Sequence, residues 1–191
     1  ALWVGSELAK PKIGPETCRF CEPNALDAAV RNAVVWRNPV AARHASDALA
    51  GQEPCYGFQV VATDADGDGW TDLYVANDAT PNQLWMNQRN GTFVDEGLLS
   101  GSALNAAGNP ERSMGIASGD FDLDGDEDLV VTNIVGETFA AYVNDGRGSF
   151  DDVRARVGLA APTAAFTGFG IDWFDYDNDG WLDLYVTSTD G

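Results

Sequence analysis

The sequence predicts an all-β fold, a partial β-propeller of four-stranded antiparallel blades preceded by a short helical insertion. Three observations predict it. An acidic nine-residue motif, D-x-D-x-D-G-x-x-D, occurs at residues 64–72, 120–128 and 175–183, so that successive copies begin 56 and 55 residues apart. A run of strand-forming residues follows each copy, and a glycine-containing turn follows each of the first two runs. A unit of this length with four strands is typical of a propeller blade, although it exceeds the usual length of roughly 40 to 50 residues.

The run after each acidic motif predicts a strand. The three runs are Leu73–Val75, Leu129–Val131 and Leu184–Val186. Leucine, valine and tyrosine are common in strands, and a short continuous apolar run is typical of a strand that is buried on both faces or nearly so. We therefore expect each run to form a buried strand.

The segments NQRNGTF (87–93) and NDGRGSF (144–150) predict hairpins within the first two blades. Both place glycine-containing turns between apolar stretches, which is the composition of a tight turn between antiparallel strands. Asn90 also begins an N-glycosylation pattern, Asn-Gly-Thr. We favour the turn interpretation over a glycosylated asparagine.

The repeat divides the chain into two parts. Residues 1–55 break the repeat, and residues 56–191 contain blades that begin near residues 56, 112 and 168. This gives two complete blades and the first half of a third, whereas propellers carry roughly four to eight blades. We expect the chain to be a piece of a longer polypeptide, with partner subunits that complete the ring as the alternative.

Residues 1–55 predict helix and an irregular segment. Asn24 is suited to cap a helix whose apolar positions between Leu26 and Val34 have helical spacing, and Asn38-Pro39 would end it.

Three cysteines, Cys18, Cys21 and Cys55, lie ahead of the first acidic motif. We favour a disulfide between Cys55 and either Cys18 or Cys21, which would fasten this segment to the first blade in an oxidising compartment. An odd count leaves one thiol over or paired outside the chain. A zinc site formed by the three cysteines and His44 is the alternative.

The charge of the chain excludes some partners. Thirty acidic residues against 11 basic ones give a formal net charge of −19. Such a polyanion is repelled by nucleic-acid phosphates and anionic membrane surfaces, and it needs cations to relieve its own repulsion. There is no apolar run of transmembrane length and no signal peptide at the first residues, so we expect no transmembrane segment.

The acidic motifs, here called loop 1 (64–72), loop 2 (120–128) and loop 3 (175–183), predict about three calcium sites. Calcium takes six to eight oxygen ligands at about 2.3–2.6 Å, and alternate aspartates in a tight loop turn their carboxylates inwards. The glycine at position six permits the sharp turn, and the carbonyl at position seven adds a ligand. The expected ligands are Asp64, Asp66, Asp68, Asp72 and the Trp70 carbonyl in loop 1; Asp120, Asp122, Asp124, Asp128 and the Asp126 carbonyl in loop 2; and Asp175, Asp177, Asp179, Asp183 and the Trp181 carbonyl in loop 3.

An EF-hand begins with the same spacing but places a bidentate glutamate at position twelve. That position holds Val75, Val131 and Val186, which have no oxygen to give. The fourth carboxylate stands instead at position nine, where a strand begins. The loops therefore predict a metal site between two strands and not between two helices.

These units resemble the FG-GAP/VCBS repeats of integrin-α-like propellers and, more narrowly, the ASPIC/UnbV (cartilage acidic protein-like) group. The resemblance rests on DADGDGWTDLYVANDATPNQLWMNQRNGTFVDE, MGIASGDFDLDGDEDLVVTN and GFGIDWFDYDNDGWLDLYVTS. It implies a seven-bladed calcium propeller, secretion or periplasmic residence, and a role in adhesion or protein interaction. Gln59 departs from the pattern, because the matching positions hold Gly115 and Gly170.

We therefore expect an extracytoplasmic calcium-binding module for adhesion or for protein or glycan interaction, and not an enzyme. The sole histidine, His44, lies in a helical stretch without a nucleophile motif nearby.

Asp172 is the acidic strand residue to inspect for another role. Trp70 and Trp181 are expected to pack between blades, with sugar stacking as the alternative. A polysaccharide-acting enzyme or accessory subunit, and a structural subunit of a larger assembly or filament, are the competing functions.

Overall fold

The computed structural model describes residues 57–190, which form ten strands and two short helices. In chain order these are β1 (Gly57–Thr63), β2 (Asp72–Asn77), β3 (Gln83–Asn87), β4 (Phe93–Asp95), α1 (Gly97–Ser100), β5 (Ser113–Gly119), β6 (Asp128–Asn133), β7 (Ala140–Asn144), β8 (Phe150–Asp152), α2 (Ala160–Thr163), β9 (Phe166–Phe174) and β10 (Asp183–Asp190).

The strands form three antiparallel sheets in chain order. Sheet 1 contains β1 to β4, sheet 2 contains β5 to β8, and sheet 3 contains β9 and β10. The predicted hairpins join β3 to β4 and β7 to β8, and backbone hydrogen bonds close their turns, from Gln88 N–H to the Thr92 carbonyl (2.9 Å) and from Asp145 N–H to the Ser149 carbonyl (3.0 Å). The predicted all-β fold of four-stranded antiparallel blades is confirmed.

The strands that follow loops 1 and 2 are buried along their whole length, as predicted. In β6, Leu129 and Val131 pack towards sheet 1, whereas Val130 packs towards sheet 3. Successive side chains of a strand point to opposite faces. Alternate residues of a continuous apolar run therefore pack into two different cores when a sheet lies on each side of the strand.

One apolar core fills the space between sheets 1 and 2, and it includes a residue of loop 1. Its buried members are Ala65, Tyr74, Ala76, Leu84 and Met86 from sheet 1 and its loop, and Ile116, Leu129, Val131, Ala140, Tyr142 and Phe150 from sheet 2. Because Ala65 is fully buried in this core, the packing of the two sheets also fixes the start of loop 1.

Strand β10 differs from β2 and β6. Leu184 and Val186 pack towards sheet 2, but Tyr185 is 58% exposed, whereas the matching Tyr74 is fully buried. The prediction of a strand buried on both faces is therefore wrong for this third run. The reason is that, within residues 57–190, no sheet covers the outer face of sheet 3.

The predictions for residues 1–55 lie outside the described residues. They include the helix, the disulfide of Cys55 with Cys18 or Cys21, and the zinc alternative. Within residues 57–190, no helix has the length and apolar character needed to cross a membrane.

Candidate metal centres

The three acidic loops occupy the same place in three successive sheets. Each loop joins the first strand of its sheet to the second. The last aspartate of each loop, Asp72, Asp128 or Asp183, is also the first residue of the second strand. The sheet therefore fixes the backbone of one acidic residue at the base of every loop.

Three carboxylates converge in each loop. One oxygen each from Asp64, Asp66 and Asp72 lie within 4.8 Å of one another. Groups of the same kind are formed by Asp120, Asp122 and Asp128, and by Asp175, Asp177 and Asp183. The structure thus brings together the aspartates at positions one, three and nine of every predicted site.

This donor set fits a hard divalent cation. Ligand oxygens about 2.3–2.6 Å from a calcium ion lie at most about 5 Å apart, so oxygens within 4.8 Å of one another can share one ion. Carboxylates at that separation repel one another unless positive charge lies between them. The donors are all oxygen, which suits calcium better than zinc, whose structural sites are rich in cysteine and histidine.

Backbone amides fold each loop around its first aspartate. In loop 1 the N–H groups of Asp68 and Gly69 donate to Asp64 Oδ1 (3.0 Å) and Oδ2 (2.9 Å). Loops 2 and 3 repeat both bonds, from Asp124 and Gly125 to Asp120 and from Asp179 and Gly180 to Asp175, all at 3.0 Å. The loops therefore share one backbone conformation.

That conformation requires left-handed residues at positions four and six. Position six is the predicted glycine, with φ of 84°, 103° and 91° at Gly69, Gly125 and Gly180. Position four has φ of 67° at Gly67, 63° at Leu123 and 60° at Asn178. Sequence reasoning missed position four because leucine gives no sign of a left-handed backbone.

The last aspartates of loops 1 and 2 are buried, and their pKa values are raised. Asp72 and Asp128 are 2% and 0% exposed. Burial raises the pKa of each carboxyl to about 6, and neighbouring loop carboxylates add to the rise, against two backbone N–H bonds that lower it. Such carboxylates gain most from a positive charge placed beside them.

The third aspartate of each motif lies outside these three-carboxylate groups. Asp68 forms an ion pair with Arg89, whose Nε donates to Asp68 Oδ2 at 2.6 Å. Asp124 and Asp179 accept the N–H of the residue two positions further on, at 3.0 and 2.9 Å. Whether Asp68, Asp124 and Asp179, or the carbonyls of Trp70, Asp126 and Trp181, complete a coordination sphere stays a prediction.

The expected packing of the two loop tryptophans between blades is wrong. Trp70 is 47% exposed and Trp181 is 56% exposed. Position two faces the neighbouring sheet instead in loops 1 and 2, whereas Tyr176 at position two of loop 3 is 75% exposed. Ala65 is in the core between sheets 1 and 2, and the Phe121 ring lies 5.5 Å from the Trp173 ring of sheet 3, centroid to centroid.

Two asparagines that sequence reasoning treated only as turn residues brace the loops. The N–H of Asn87 donates to Asp72 Oδ1 at 2.7 Å, and the N–H of Asn144 donates to Asp128 Oδ1 at 2.9 Å. Their side chains donate to the carbonyls of Thr71 (3.0 Å) and Glu127 (3.1 Å). The sequence feature that could have identified them is that each asparagine begins the glycine-containing turn of its blade.

The opposite end of the sheets holds a cleft of about 470 Å³ beside a buried ion-pair cluster. Arg154 donates to both oxygens of Glu111 (2.7 and 2.8 Å), to Asp152 (2.9 Å) and to the Thr138 carbonyl (3.1 Å). All three nitrogens of the guanidinium are therefore engaged within the protein, which makes this cluster structural.

Asp172 is exposed on β9, where its side chain accepts the Trp173 N–H at 2.9 Å.

Known proteins match both the repeat and most of the chain. A family model described as an FG-GAP-like repeat matches residues 64–131 and 120–186. Cartilage acidic protein 1 of Mus musculus is 28% identical over 179 residues, covering 92% of this chain and 25% of that protein. Cartilage acidic protein 1 of Homo sapiens is 26% identical over the same shares. The chain spans about a quarter of the length of these curated relatives.

Proposed function

This chain belongs to the FG-GAP-like repeat family, and on that premise we propose that it is an extracellular repeat module stabilised by calcium. One observation carries the proposal. The same three-carboxylate group recurs at the same place in three successive sheets. Three accidental clusters of negative charge would each destabilise the fold, whereas three cation sites explain their common geometry.

The residues of each loop have separate tasks in this proposal. The aspartates at positions one, three and nine would hold the ion, as Asp64, Asp66 and Asp72 do in loop 1. Calcium, when bound, would supply positive charge between the three carboxylates of each group. Because position one follows the first strand and position nine begins the second, coordination would fasten the two strands to each other beyond their own hydrogen bonds.

An extracellular location is supported by the similarity to cartilage acidic protein 1. Calcium sites of extracellular modules have dissociation constants of about 10⁻⁴–10⁻³ M, which match a calcium-rich medium. We expect values in that range for the three loops. A dissociation constant below about 10⁻⁷ M would contradict this part of the proposal.

We also propose that the module binds a protein or a surface glycan and does not transform it. The clustered carboxylates are assigned to cations, which leaves them unsuited to acid–base work. Trp70 and Trp181 offer half-exposed aromatic faces at the same position of two loops. A glycan partner would quench tryptophan fluorescence in a titration with oligosaccharides, and Trp70→Ala would weaken its binding. Hydrolysis of any oligosaccharide in the same panel would favour the polysaccharide-acting enzyme instead.

The calcium proposal is tested on the full 191-residue chain freed of metal. Calorimetric titration should give about three sites. A ligand at 100 times its dissociation constant stabilises a protein by about 2.7 kcal/mol per site, which corresponds to a rise in Tm of roughly 5–10 °C per site for a chain of this size. Magnesium should give a smaller rise, because it keeps its waters and takes fewer protein ligands.

A matched pair of variants locates the effect. Asp120→Asn combined with Asp122→Asn should remove one site and its share of the rise in Tm. Asp151→Asn changes the charge of an exposed residue on β8 and should leave the number of sites unchanged. If calcium neither gives binding heat nor raises Tm, the loops are not calcium sites and the proposal is wrong.

A further inference from the structure

Loops 1 and 2 belong to different sheets, but one side chain contacts both. Asn144, the last residue of β7, is 2% exposed. Its Nδ2 donates to the Ala65 carbonyl in loop 1 at 2.9 Å and to the Glu127 carbonyl in loop 2 at 3.1 Å. Its backbone N–H donates to Asp128 Oδ1 at 2.9 Å. A single buried residue therefore touches a carboxylate of one loop and the backbone of the other.

In loop 1, the peptide group that Asn144 contacts joins Ala65 to Asp66, a residue of the proposed metal site. The Ala65 carbonyl belongs to the same planar peptide unit as the N–H of Asp66, so its hydrogen bond fixes the plane from which Asp66 extends. The N–H of Ala65 donates to Asp72 Oδ2 at 3.0 Å. Ala65 is thus held by a loop 1 carboxylate on one side and by Asn144 on the other.

A second cross-sheet contact lies beside the first. Thr63, the residue before loop 1, donates its hydroxyl to Glu127 Oε2 at 2.6 Å. The same oxygen accepts the Ser118 hydroxyl, which belongs to sheet 2, at 3.0 Å. Glu127 immediately precedes Asp128 in loop 2. Two hydrogen bonds therefore cross from sheet to sheet beside the loops, one from Asn144 of β7 to loop 1 and one from Thr63 of β1 to loop 2.

The turn after Asn144 is packed against both loops. A methyl group added at Gly146 would clash with the Asp126 carboxylate of loop 2. One added at Gly148 would lie 3.9 Å from the Ala65 carbonyl oxygen and from Asp66 Cβ of loop 1. A shift of either loop therefore has to be accommodated by the turn, and through the turn by the other loop.

We infer that loops 1 and 2 bind calcium cooperatively, with Asn144 and the Thr63–Glu127 pair as the positioning residues that couple them. Occupation of loop 1 orders the peptide groups around Ala65, and this fixes the Asn144 side chain and the carboxylate of Asp128. Coupling is reciprocal, so loop 2 raises the affinity of loop 1 by the same factor. We expect about fivefold, at the lower end of the usual range. This inference rests on the proposed calcium function.

Asn87 is the matched control for Asn144. It begins the equivalent turn of sheet 1 and braces Asp72 and Thr71, both in sheet 1 or its loop. Among the described residues, neither bond reaches another sheet. Ser118 is likewise the control for Thr63, because both hydroxyls donate to Glu127 but only that of Thr63 crosses between sheets.

The experiment is calcium titration calorimetry on the full chain at about 0.15 M salt, with loop 3 disabled by Asp175→Asn and Asp177→Asn. Single-site constants come from chains in which loop 1 (Asp64→Asn, Asp66→Asn) or loop 2 (Asp120→Asn, Asp122→Asn) is also disabled. The two-site constant divided by the product of the single-site constants gives the coupling factor. We expect a factor of about five with both loops intact and about five with Asn87→Ala. Asn144→Ala should lower the factor towards one, with the remaining Thr63–Glu127 contact keeping any residual coupling.

The hydroxyl pair supplies an independent measurement should Asn144→Ala fail to fold. Thr63→Val should reduce the coupling factor, and Ser118→Ala should leave it unchanged. Binding at both loops with a factor of one in the parent chain overturns the cooperativity while the calcium function stands. An unchanged factor in Asn144→Ala and Thr63→Val overturns the assigned route. No binding at any loop overturns the proposed function itself.

Discussion

The side chain of Gln59 pairs with both backbone groups of Ile116 in the neighbouring sheet. Its Nε2 donates to the Ile116 carbonyl at 3.0 Å, and the Ile116 N–H donates to its Oε1 at 2.9 Å. The matching residue of sheet 2 is Gly115, where an added methyl group would clash with the Phe169 carbonyl of sheet 3. At this position the backbones of sheets 2 and 3 therefore lie directly against each other, whereas the carboxamide of Gln59 bridges sheets 1 and 2.

The first prediction concerns this bridge. Gln59→Ala leaves the two Ile116 groups without their partners, and an unsatisfied buried polar group costs about 1–3 kcal/mol. We expect a loss of that size in the free energy of unfolding, measured by urea denaturation with calcium present. The control is Gln88→Ala, since this exposed side chain bonds, within residues 57–190, only to the Met86 carbonyl of its own sheet. Equal losses in both variants would contradict the bridging role.

The second prediction uses the strained position of loop 2. Leu123 has φ of 63° and is 51% exposed. A left-handed backbone costs a side-chain-bearing residue roughly 1–2 kcal/mol, and glycine loses part of that advantage through its greater freedom in the unfolded chain. Leu123→Gly should therefore stabilise the protein by about 0.5–1 kcal/mol in chemical denaturation.

Gly125→Ala provides the opposite test in the same loop. Its φ is 103°, and an added methyl group meets no atom within 4 Å. Only backbone strain is therefore introduced, and stability should fall. If both substitutions change stability in the same direction, backbone strain does not control this loop.

The parts of the fold that sequence predicted are those set by local chemistry. Loop 1 and the strand beginning at Asp72 follow from residues within twelve positions of one another, because carboxylate spacing, a turn glycine and an apolar run act locally. The burial of β6 followed as well, since the repeat placed a sheet on each side of it. In β10 the same apolar pattern gave a wrong prediction of burial, because the burial of a strand depends on whether a neighbouring sheet covers it and not on the strand's own residues.

The contacts that sequence did not predict join distant segments. The Gln59–Ile116 pair spans 57 residues, and the bond from Asn144 to Ala65 spans 79. Glutamine at a glycine position looked like a departure from the repeat, and asparagine before a glycine looked like turn chemistry alone. Both roles depend on the distance between sheets, which no local pattern encodes.

The third prediction concerns Arg154, which is 9% exposed and paired with Glu111 and Asp152. Removal of one partner from a buried ion pair leaves an uncompensated charge and costs about 3–5 kcal/mol. We expect Arg154→Met to cause such a loss. The exposed pair Arg112–Glu137 (2.9 Å) supplies the control, because Arg112→Met should cost at most about 1 kcal/mol. Both losses are measured by urea denaturation. Similar losses in the two variants would show that burial does not determine how much the Arg154 cluster contributes to the free energy of unfolding.

The last prediction concerns pH and the metal-free protein. Burial raises the folded-state pKa of Asp72 and Asp128 from 3.8 to about 6. Between these values the folded chain binds more protons than the unfolded chain, so stability rises as pH falls. The Tm of the metal-free chain should therefore increase from pH 7 to pH 5, whereas with calcium bound the increase should vanish or reverse, because protons compete with the ion. The double variant Asp72→Asn, Asp128→Asn should show a smaller increase without metal. An equal increase in that variant would assign the effect to the remaining acidic residues and contradict the role of these two carboxylates.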